Sequence, residues 1–266
     1  MSLQSPVMNI MVKAAEKAAR SLLRDFNEVE KLQVTQKAHG EFVSKADIRA
    51  EEIIQDTLLY ARPDHALLME ESGAHNEGQS DFTFIVVPLD GTTNFLYGIP
   101  HWCISIALHE GNQPVAGLIF DPIREEIYQA ERNKGAFMNQ QRLQVSGRTD
   151  TRIATVAHGS AQQIAGANKK EFLAQVGAMH ERFSAVRHMG SAALNLAYVA
   201  SGSFDGYWSR NVKPWDIAAG ALMVMEARGK VSDFSLHKDH IKRGEIIAGN
   251  RTMHEVLAKT LAKSSD

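Results

Sequence analysis

The chain of 266 residues is long enough for one large domain or two closely packed halves. Its formal net charge of -2 argues against a general nucleic-acid binder or a membrane-surface binder. The single cysteine, Cys103, excludes an intrachain disulfide and a cysteine-based zinc site. No apolar run approaches the length of a membrane span, and residues 1–11 lack the pattern of a signal peptide, so a cytoplasmic location is expected.

The first half of the chain begins with helical patterns and continues with short strands. Apolar spacing predicts an amphipathic helix over about 6–26, a hairpin or irregular strand pair within 32–44, and a second helix over 44–61. Ser44 and Asp47 have the spacing of a capping pair at the start of the second helix. Strands are predicted at 66–69, 84–87, 102–108, 114–120, 127–130 and 135–139. This order indicates an antiparallel sheet flanked by helices.

The segment from Phe84 to Phe95 predicts a strand that leads into an anion-binding turn. Its apolar, β-branched start is typical of a buried strand, and Pro88 is predicted to end it. Asp90 follows, and then Gly-Thr-Thr-Asn at 91–94, where glycine allows close backbone approach and the next residues can begin a helix. An acid beside free backbone amides suits a phosphate held next to a metal ion.

The second half alternates between helices and strands, which predicts an α/β sheet. The polar residues 139–151 are the best candidate boundary, giving halves at 1–145 and 146–266. Helices are predicted at 169–180, 191–200, 217–227 and 253–262, and strands at 153–157, 183–187, 204–208, 230–234 and 245–249.

Several separated motifs together resemble those of the inositol monophosphatase family, within the superfamily of magnesium-dependent, lithium-inhibited sugar phosphatases. The main matches are Glu70-Glu71-Ser72, the segment from Pro88 to Phe95, and Trp215-Asp216 with the four residues that follow. Further matches lie at 42–44 with Asp47, 120–122, 135–137, Arg187 and 190–192, so the resemblance covers nearly the whole chain. It implies a mixed α+β and α/β fold, a layered αβαβα sandwich, in a homodimer. The first half would carry most metal and phosphate ligands, and the second half Asp216 and the contacts to the substrate alcohol.

The resemblance also implies residue roles and Mg²⁺ as cofactor. Carboxylate and carbonyl oxygens, which Mg²⁺ prefers, would come from Glu70, Asp90, Asp216 and the main chain of Leu89. Asp90 and Gly91-Thr92-Thr93 resemble the phosphate-binding residues. Asp47 and Thr92 resemble the pair that orients and deprotonates the attacking water, with Glu70 as a further catalytic residue. Gly190-Ser191-Ala192 and Asp216 resemble the residues that meet the substrate.

Two positions depart from the family pattern. The family has Asp-Pro-hydrophobic-Asp-Gly where this chain has Val87-Pro88-Leu89-Asp90-Gly91, so the carboxylate that bridges metal ions is missing. Val87 is interpreted as a natural change in a paralogue that has lost catalysis, as a substitution in this copy, or as a sign of rearranged metal binding. Ser209 stands where many relatives carry Glu aimed at a substrate hydroxyl.

The resulting hypothesis is Mg²⁺-dependent hydrolysis of a small phosphorylated polyol, with inositol 1-phosphate first and activity weakened by Val87. One alternative keeps the chemistry and changes the substrate to a histidinol, sugar or nucleotide phosphate. The other is a catalytically weak relative with a regulatory or RNA-linked binding role, although the net charge does not itself indicate a nucleic-acid partner.

Overall fold

The computed structural model describes residues 5–28, 34–38, 41–78, 80–160 and 167–263. The side chains of 34–38, 41–44 and 167–168 lie outside that description, and the predicted capping role of Ser44 is among the expectations that fall there. Two smaller stretches of the predicted hairpin, 32–33 and 39–40, lie outside it as well.

The described part of the chain contains eight α-helices and fifteen strands. The helices are α1 (Pro6–Phe26), α2 (Lys45–Ala61), α3 (Thr92–Leu96), α4 (Ala167–Arg182), α5 (Ala192–Ala200), α6 (Pro214–Glu226), α7 (His240–Arg243) and α8 (Arg251–Lys263). The strands are β1 (Val34–Ala38), β2 (Glu41–Ser44), β3 (Ala66–Met69), β4 (Gly73–His75), β5 (Phe82–Asp90), β6 (Cys103–Glu110), β7 (Gln113–Asp121), β8 (Glu126–Glu131), β9 (Gly135–Met138), β10 (Gln141–Arg142), β11 (Thr155–His158), β12 (Ala185–Arg187), β13 (Gly206–Arg210), β14 (Lys230–Ser232) and β15 (Glu245–Gly249).

Two large sheets follow the order of the chain. The eight-stranded sheet has the order β10-β9-β8-β7-β6-β5-β3-β4, and the five-stranded sheet has the order β12-β11-β13-β15-β14. The first sheet is antiparallel as predicted, except that β3 pairs parallel with β5. In the second, β11 runs parallel to β12 and β13, while β15 is antiparallel to β13 and β14. β1 and β2 form a separate antiparallel pair.

Side-chain alternation along the strands places helices on both faces of each sheet. Phe84 and Val86 of β5 belong to a core shared with α1 and α2, whereas Ile85 faces the core that contains α5 and α6. In β13, Tyr207 faces α5 and α6, and Trp208 faces α4 and α8. The layer order is therefore α1/α2, eight-stranded sheet, α5/α6, five-stranded sheet, α4/α8, which confirms the predicted αβαβα sandwich.

The middle helices α5 and α6 are apolar on nearly all sides because both faces of their layer are covered. Their buried residues share one core with Ile119 of the first sheet and Ile246 of the second. The chain boundary near 145 thus falls between the strands of the two sheets, and a division at that point stays a prediction. Within the described ranges, no helix combines the length and apolar character needed to cross a membrane.

Candidate active site

A cleft of about 470 Å³ opens where the end of β5 meets the first turns of α3, α5 and α6. Its walls bring together residues that lie far apart in the sequence. The predicted site residues lining it are Glu70, Leu89, Asp90, Gly91, Thr92, Thr93, Gly190, Ser191, Ala192 and Asp216. Asp47, the remaining predicted site residue, is buried beside the cleft and contacts Thr92.

Strand β5 carries Asp90 to the cleft at its C-terminal end. The predicted end at Pro88 is wrong, because β5 continues to Asp90. Its pairing with β6 shifts register between Val87, opposite Ser105, and Asp90, opposite Cys103. Proline cannot donate a ladder hydrogen bond, and an irregular pairing at this point accommodates it.

Gly91 makes the turn from β5 into α3. Its φ is +100°, in the left-handed region, and a Cβ there would lie 3.0 Å from the carbonyl oxygen of His101. A side chain is therefore disfavoured by both conformation and space. The first amides of α3 have no partner within the helix, as at any helix start, and they are available to an anion in the cleft.

The hydroxyl of Thr92 lies between two acceptors. Thr92 Oγ1 is 3.3 Å from Asp47 Oδ1 and 3.1 Å from the carbonyl oxygen of Leu89. Asp47 itself is buried, in the first turn of α2. The structure therefore places together the two residues that the family resemblance pairs, and a threonine that donates to Asp47 keeps its oxygen lone pairs for another donor.

Asp90 is held by the start of α5. Its Oδ2 accepts hydrogen bonds from Ser191 Oγ at 2.6 Å and from the backbone amide of Ala193 at 2.8 Å. Burial raises the pKa of Asp90 to about 6, although these two hydrogen bonds act in the opposite direction. The carboxylate is thus fixed in place and costly to ionise until a positive charge comes near.

Glu70 lies among the other acids of the site, and its pKa is raised. Burial raises its pKa well above the ordinary value, and the negative charges of Asp216, Glu71, Asp90 and Asp47 raise it further, in that order. Glu70 Oε2 is buried and has no hydrogen-bond partner among the described residues. A buried carboxylate oxygen that faces other acids is the environment that a bound cation would relieve.

Glu51 positions the loop that carries Glu70, a role that the sequence analysis missed. Its carboxylate oxygens accept from the backbone amides of Glu71 and Ser72, each at 2.8 Å, and the side chain is buried. The spacing in the sequence could have indicated this role, because Glu51 lies four residues after Asp47 and therefore on the same face of α2.

Asp216 lies in the first turn of α6. Its Oδ2 accepts from the backbone amide of Lys213 at 2.8 Å, which caps the helix start. Lys213 was also missed by the sequence analysis, and it brings a positive charge to the wall of the cleft. The signal was its place at the helix start, directly before Pro214-Trp215-Asp216.

Asn94 holds the segment 190–192 at the wall of the cleft. Asn94 Nδ2 donates to the carbonyl oxygens of His101 and Met189, at 2.8 Å each, and Gly190 adopts φ +84° against the Asn94 side chain. The resemblance implies that Ser191 contacts the substrate. In the structure Ser191 is buried, and its hydroxyl donates a hydrogen bond to Asp90. A direct contact of Ser191 with substrate stays a prediction.

The oxygen donors fit Mg²⁺ in chemistry but do not form a complete coordination shell. Glu70, Asp90, Asp216 and the Leu89 carbonyl supply the ligand type that Mg²⁺ prefers, and the unpartnered Glu70 Oε2 is the clearest position for it. Within the described part of the chain, however, no three His, Cys, Asp or Glu side chains are grouped as a metal site. Asp90 and Asp216 each use Oδ2 in hydrogen bonds within the protein.

Val87 lines the same cleft and is 1% exposed. It packs as an ordinary strand residue, so the fold tolerates it without strain. It adds no oxygen at a position next to Glu70, Leu89 and Asp90. Ser209, the other departure from the family pattern, is buried on β13 at the cleft wall and lies in contact with Gly159.

The layer order and the acidic cleft define the class of layered αβαβα proteins of the sugar-phosphatase type. The sequence model of the inositol monophosphatase family matches residues 3–266. An inositol-1-monophosphatase of Mesorhizobium japonicum is 46% identical over 98% of this chain and 97% of that protein. A protein of Xylella fastidiosa named Nus factor SuhB is 39% identical over 98% of this chain and 96% of its own length.

Comparison with solved structures points to the same family. The extragenic suppressor protein suhB of Bartonella henselae superposes with a TM-score of 0.92 and 45% identity, covering 97% of this chain and 98% of that one. The chain belongs to the inositol monophosphatase family, a family of phosphatases.

Proposed function

We propose that the protein hydrolyses a phosphate monoester in an Mg²⁺-dependent reaction, with inositol 1-phosphate as substrate, and that Val87 weakens this activity. The observation that carries the proposal is the convergence of Glu70, Asp90 and Asp216 on the turn at 91–93 in one cleft. The 46% identity to a protein named inositol-1-monophosphatase supports the choice of substrate.

The phosphate group would bind at the start of α3. Residues 91–93 line the cleft and would bind the phosphate through their backbone amides, and Lys213 adds a positive charge at the cleft wall. Phosphoryl transfer needs mainly positioning and neutralisation of charge, and this arrangement supplies both. Gly190 to Ala192 and Ser209 lie where the alcohol portion of the substrate would extend.

Asp47 and Thr92 would activate the attacking water. Thr92 Oγ1 donates towards Asp47 Oδ1, so its lone pairs can accept a hydrogen bond from water and orient it towards phosphorus. As the water loses its proton, Asp47 is the acceptor at the end of this short relay. Glu70, with an unpartnered buried oxygen, would hold the cation and position the same water.

The cation would be bound by Glu70, the Leu89 carbonyl, Asp90 and Asp216. When bound, Mg²⁺ supplies charge for the leaving oxygen and lowers the pKa of nearby water. Asp90 and Asp216 together offset that charge, while Ser191 and the Ala193 amide keep Asp90 aimed into the cleft. Because Val87 gives no carboxylate, we expect weak cation binding and a rate reduced by roughly two or more orders of magnitude.

A second candidate function is a regulatory or RNA-linked binding role with little catalysis. Two observations favour it: Val87 in the cleft, and the 39% identity to a protein named Nus factor SuhB. A homodimer and a cytoplasmic location, expected from the family resemblance and the single cysteine, are part of the proposal for either function.

The test is a phosphatase assay with inositol 1-phosphate, histidinol phosphate, a sugar phosphate and a nucleoside monophosphate, each with Mg²⁺ and with EDTA. We expect slow, Mg²⁺-dependent release of phosphate, fastest with inositol 1-phosphate. Equal release of phosphate in EDTA would contradict the metal dependence, and a preference for another ester would contradict the substrate. A rate of about 1–100 per second would contradict the weakening by Val87.

A further inference from the structure

A second, larger groove lies on the other side of the segment that carries Asp216. It has a volume of about 1310 Å³ and lies between the β6–β7 hairpin, α6 and α7. Val212 and Lys213 line both this groove and the catalytic cleft, whereas its remaining lining residues are separate from the predicted site. Apart from Lys213, no residue of this groove has a part in the proposed phosphatase chemistry.

The floor of the groove is apolar and comes largely from α6. Ala218, Ala221 and Leu222 are buried there, and Met225 at the end of α6 is 38% exposed. Ile241 of α7 lines the groove as well. Concave, mostly apolar surfaces of this size with a few polar groups are the usual form of small-molecule sites.

Two buried histidines line this apolar floor. His109 is 6% exposed and His240 is 8% exposed, and both line the groove. His109 Nε2 and His240 Nδ1 have no hydrogen-bond partner among the described residues. Both nitrogen atoms are shielded from solvent, so the two rings contribute to the wall of the groove without offering these atoms at its surface.

The rim of the groove is positively charged. Its cations outnumber its acids: Arg132, Lys213, Lys238, Lys242 and Arg243 against Glu226 and Asp239. Arg132 and Arg243 pair with acids, at 3.1 Å from Glu110 and 3.2 Å from Asp233.

Among the other charges that line the groove, Lys213, Lys238 and Lys242 outnumber Glu226 and Asp239. Glu226 is already occupied by the backbone amides of Asn133 and Gly135, at 2.8 Å each. Lys238 and Lys242 are exposed and have no acidic partner among the described residues. Two lysines are therefore available to an anion at the rim.

We propose that this groove binds a small amphipathic anion, with its apolar body on α6 and its anionic group at Lys238 and Lys242. The charge of the rim selects an anion, and the apolar floor selects a ligand with a sizeable non-polar part. A free inorganic anion would leave the apolar floor unfilled.

The probe for the test is 8-anilinonaphthalene-1-sulfonate, which has an aromatic body and one sulfonate. We expect the native protein of 266 residues to bind one probe molecule per chain, with a fluorescence increase that weakens as NaCl concentration rises. The double variant Lys238→Glu/Lys242→Glu should raise the dissociation constant by roughly tenfold. The matched control is Lys259→Glu/Lys263→Glu, which makes the same charge change on α8 and should leave binding unchanged.

A second variant tests the apolar floor without disturbing the core. Met225→Glu places a negative charge on a partly exposed side chain of the groove, and it should weaken binding of the probe at least as much. Leu173→Glu on α4, where the side chain is 56% exposed, is its control. The proposal is overturned if the groove variants and their controls bind equally well, or if the native protein shows no saturable binding, as expected when a second copy covers the groove. Neither Mg²⁺ nor turnover enters this measurement, so its result is independent of the phosphatase proposal.

Discussion

The hydroxyl of Ser191 donates a 2.6 Å hydrogen bond to Oδ2 of Asp90, a residue 101 positions earlier in the chain. The same hydroxyl accepts from the amide of Leu194 and so caps α5. One side chain thus joins the start of the middle helix layer to the end of β5. The position of Asp90 in the cleft depends on this junction between the two halves of the chain.

Ser191→Ala should lower the free energy of unfolding by about 2–3 kcal/mol. The variant loses a helix cap and a hydrogen bond to a carboxylate, each worth roughly 1–2 kcal/mol. Urea denaturation measures the loss. Ser203→Ala, at an exposed hydroxyl, is the control and should change stability by less than about 0.5 kcal/mol. Equal effects of the two substitutions would show that the Ser191 contacts are not important.

Asp90 should make the metal-free protein less stable as pH rises from about 4 to about 6. The pKa of Asp90 in the folded protein is about 6 against an ordinary 3.8, so the folded state holds this proton more tightly than the unfolded state. Stability from this group is therefore present below pH 4 and lost as pH rises through 6, by about 3 kcal/mol in all. Glu70, whose pKa is also raised, acts in the same direction.

The comparison that isolates Asp90 is Asp90→Asn against the parent protein in EDTA. The amide keeps an acceptor for Ser191 but cannot ionise, so the variant should gain stability relative to the parent between pH 4 and 6.5. Asp56→Asn, at an exposed position, should show no such trend. A stability difference for Asp90→Asn that stays constant over this pH range would refute the raised pKa.

Glu51→Gln should destabilise the loop that carries Glu70. Gln has one acceptor oxygen where Glu51 uses two, so one of the amides of Glu71 and Ser72 loses its partner. We expect a loss of about 2–3 kcal/mol in urea denaturation, because a buried amide is left unpaired. Weaker Mg²⁺ binding by calorimetry should accompany it. Glu52→Gln, on the exposed side of α2, is the control, and similar losses in both variants would exclude the proposed role.

Gly91→Ala should cost about 1–3 kcal/mol, since the turn combines a positive φ with a close approach to His101. Gly147→Ala is the matched control, because a Cβ there meets no atom within 4 Å. That substitution should leave stability unchanged or raise it slightly. Thermal unfolding compares the two variants, and a Gly91→Ala protein as stable as the Gly147→Ala protein would contradict the conformational requirement.

Periodicity was enough to predict the elements with long or strongly patterned sequences. The helix predicted at about 6–26 is α1, and the strands predicted at 102–108 and 114–120 form the β6–β7 hairpin. Three elements were not predicted: β4, β10 and α7. They are two to four residues long, too short to show a period, and tertiary contacts stabilise them. The continuation of β5 beyond Pro88 was missed because a register shift accommodates the proline.

The motifs were enough to predict which residues form the site, but not which hydrogen bonds hold them in place. Glu70, Asp90 and Asp216 reach one cleft as the family resemblance implies. The bonds of Ser191 to Asp90 and of Glu51 to the loop at 70–72 join distant segments. A single sequence holds no pattern for such pairs, because each depends on how layers of the fold pack.

A single missing carboxylate, at Val87, separates this cleft from an efficient Mg²⁺-dependent phosphatase site under the proposed function. Val87→Asp places a buried charge beside Glu70 and Asp90. In EDTA it should therefore destabilise the protein by a few kcal/mol, and Mg²⁺ should restore that stability. Val87→Asn is the control, with a similar shape and no charge, and should show neither recovery nor gain of activity.

The most direct measurement is kcat/KM for inositol 1-phosphate with Mg²⁺, compared between the parent protein and Val87→Asp. We predict a gain of at least about 100-fold for Val87→Asp, and a gain below about threefold for Val87→Asn. A folded Val87→Asp protein that binds Mg²⁺ but hydrolyses no faster than the parent would contradict the weakening by Val87 and favour a binding role for this chain.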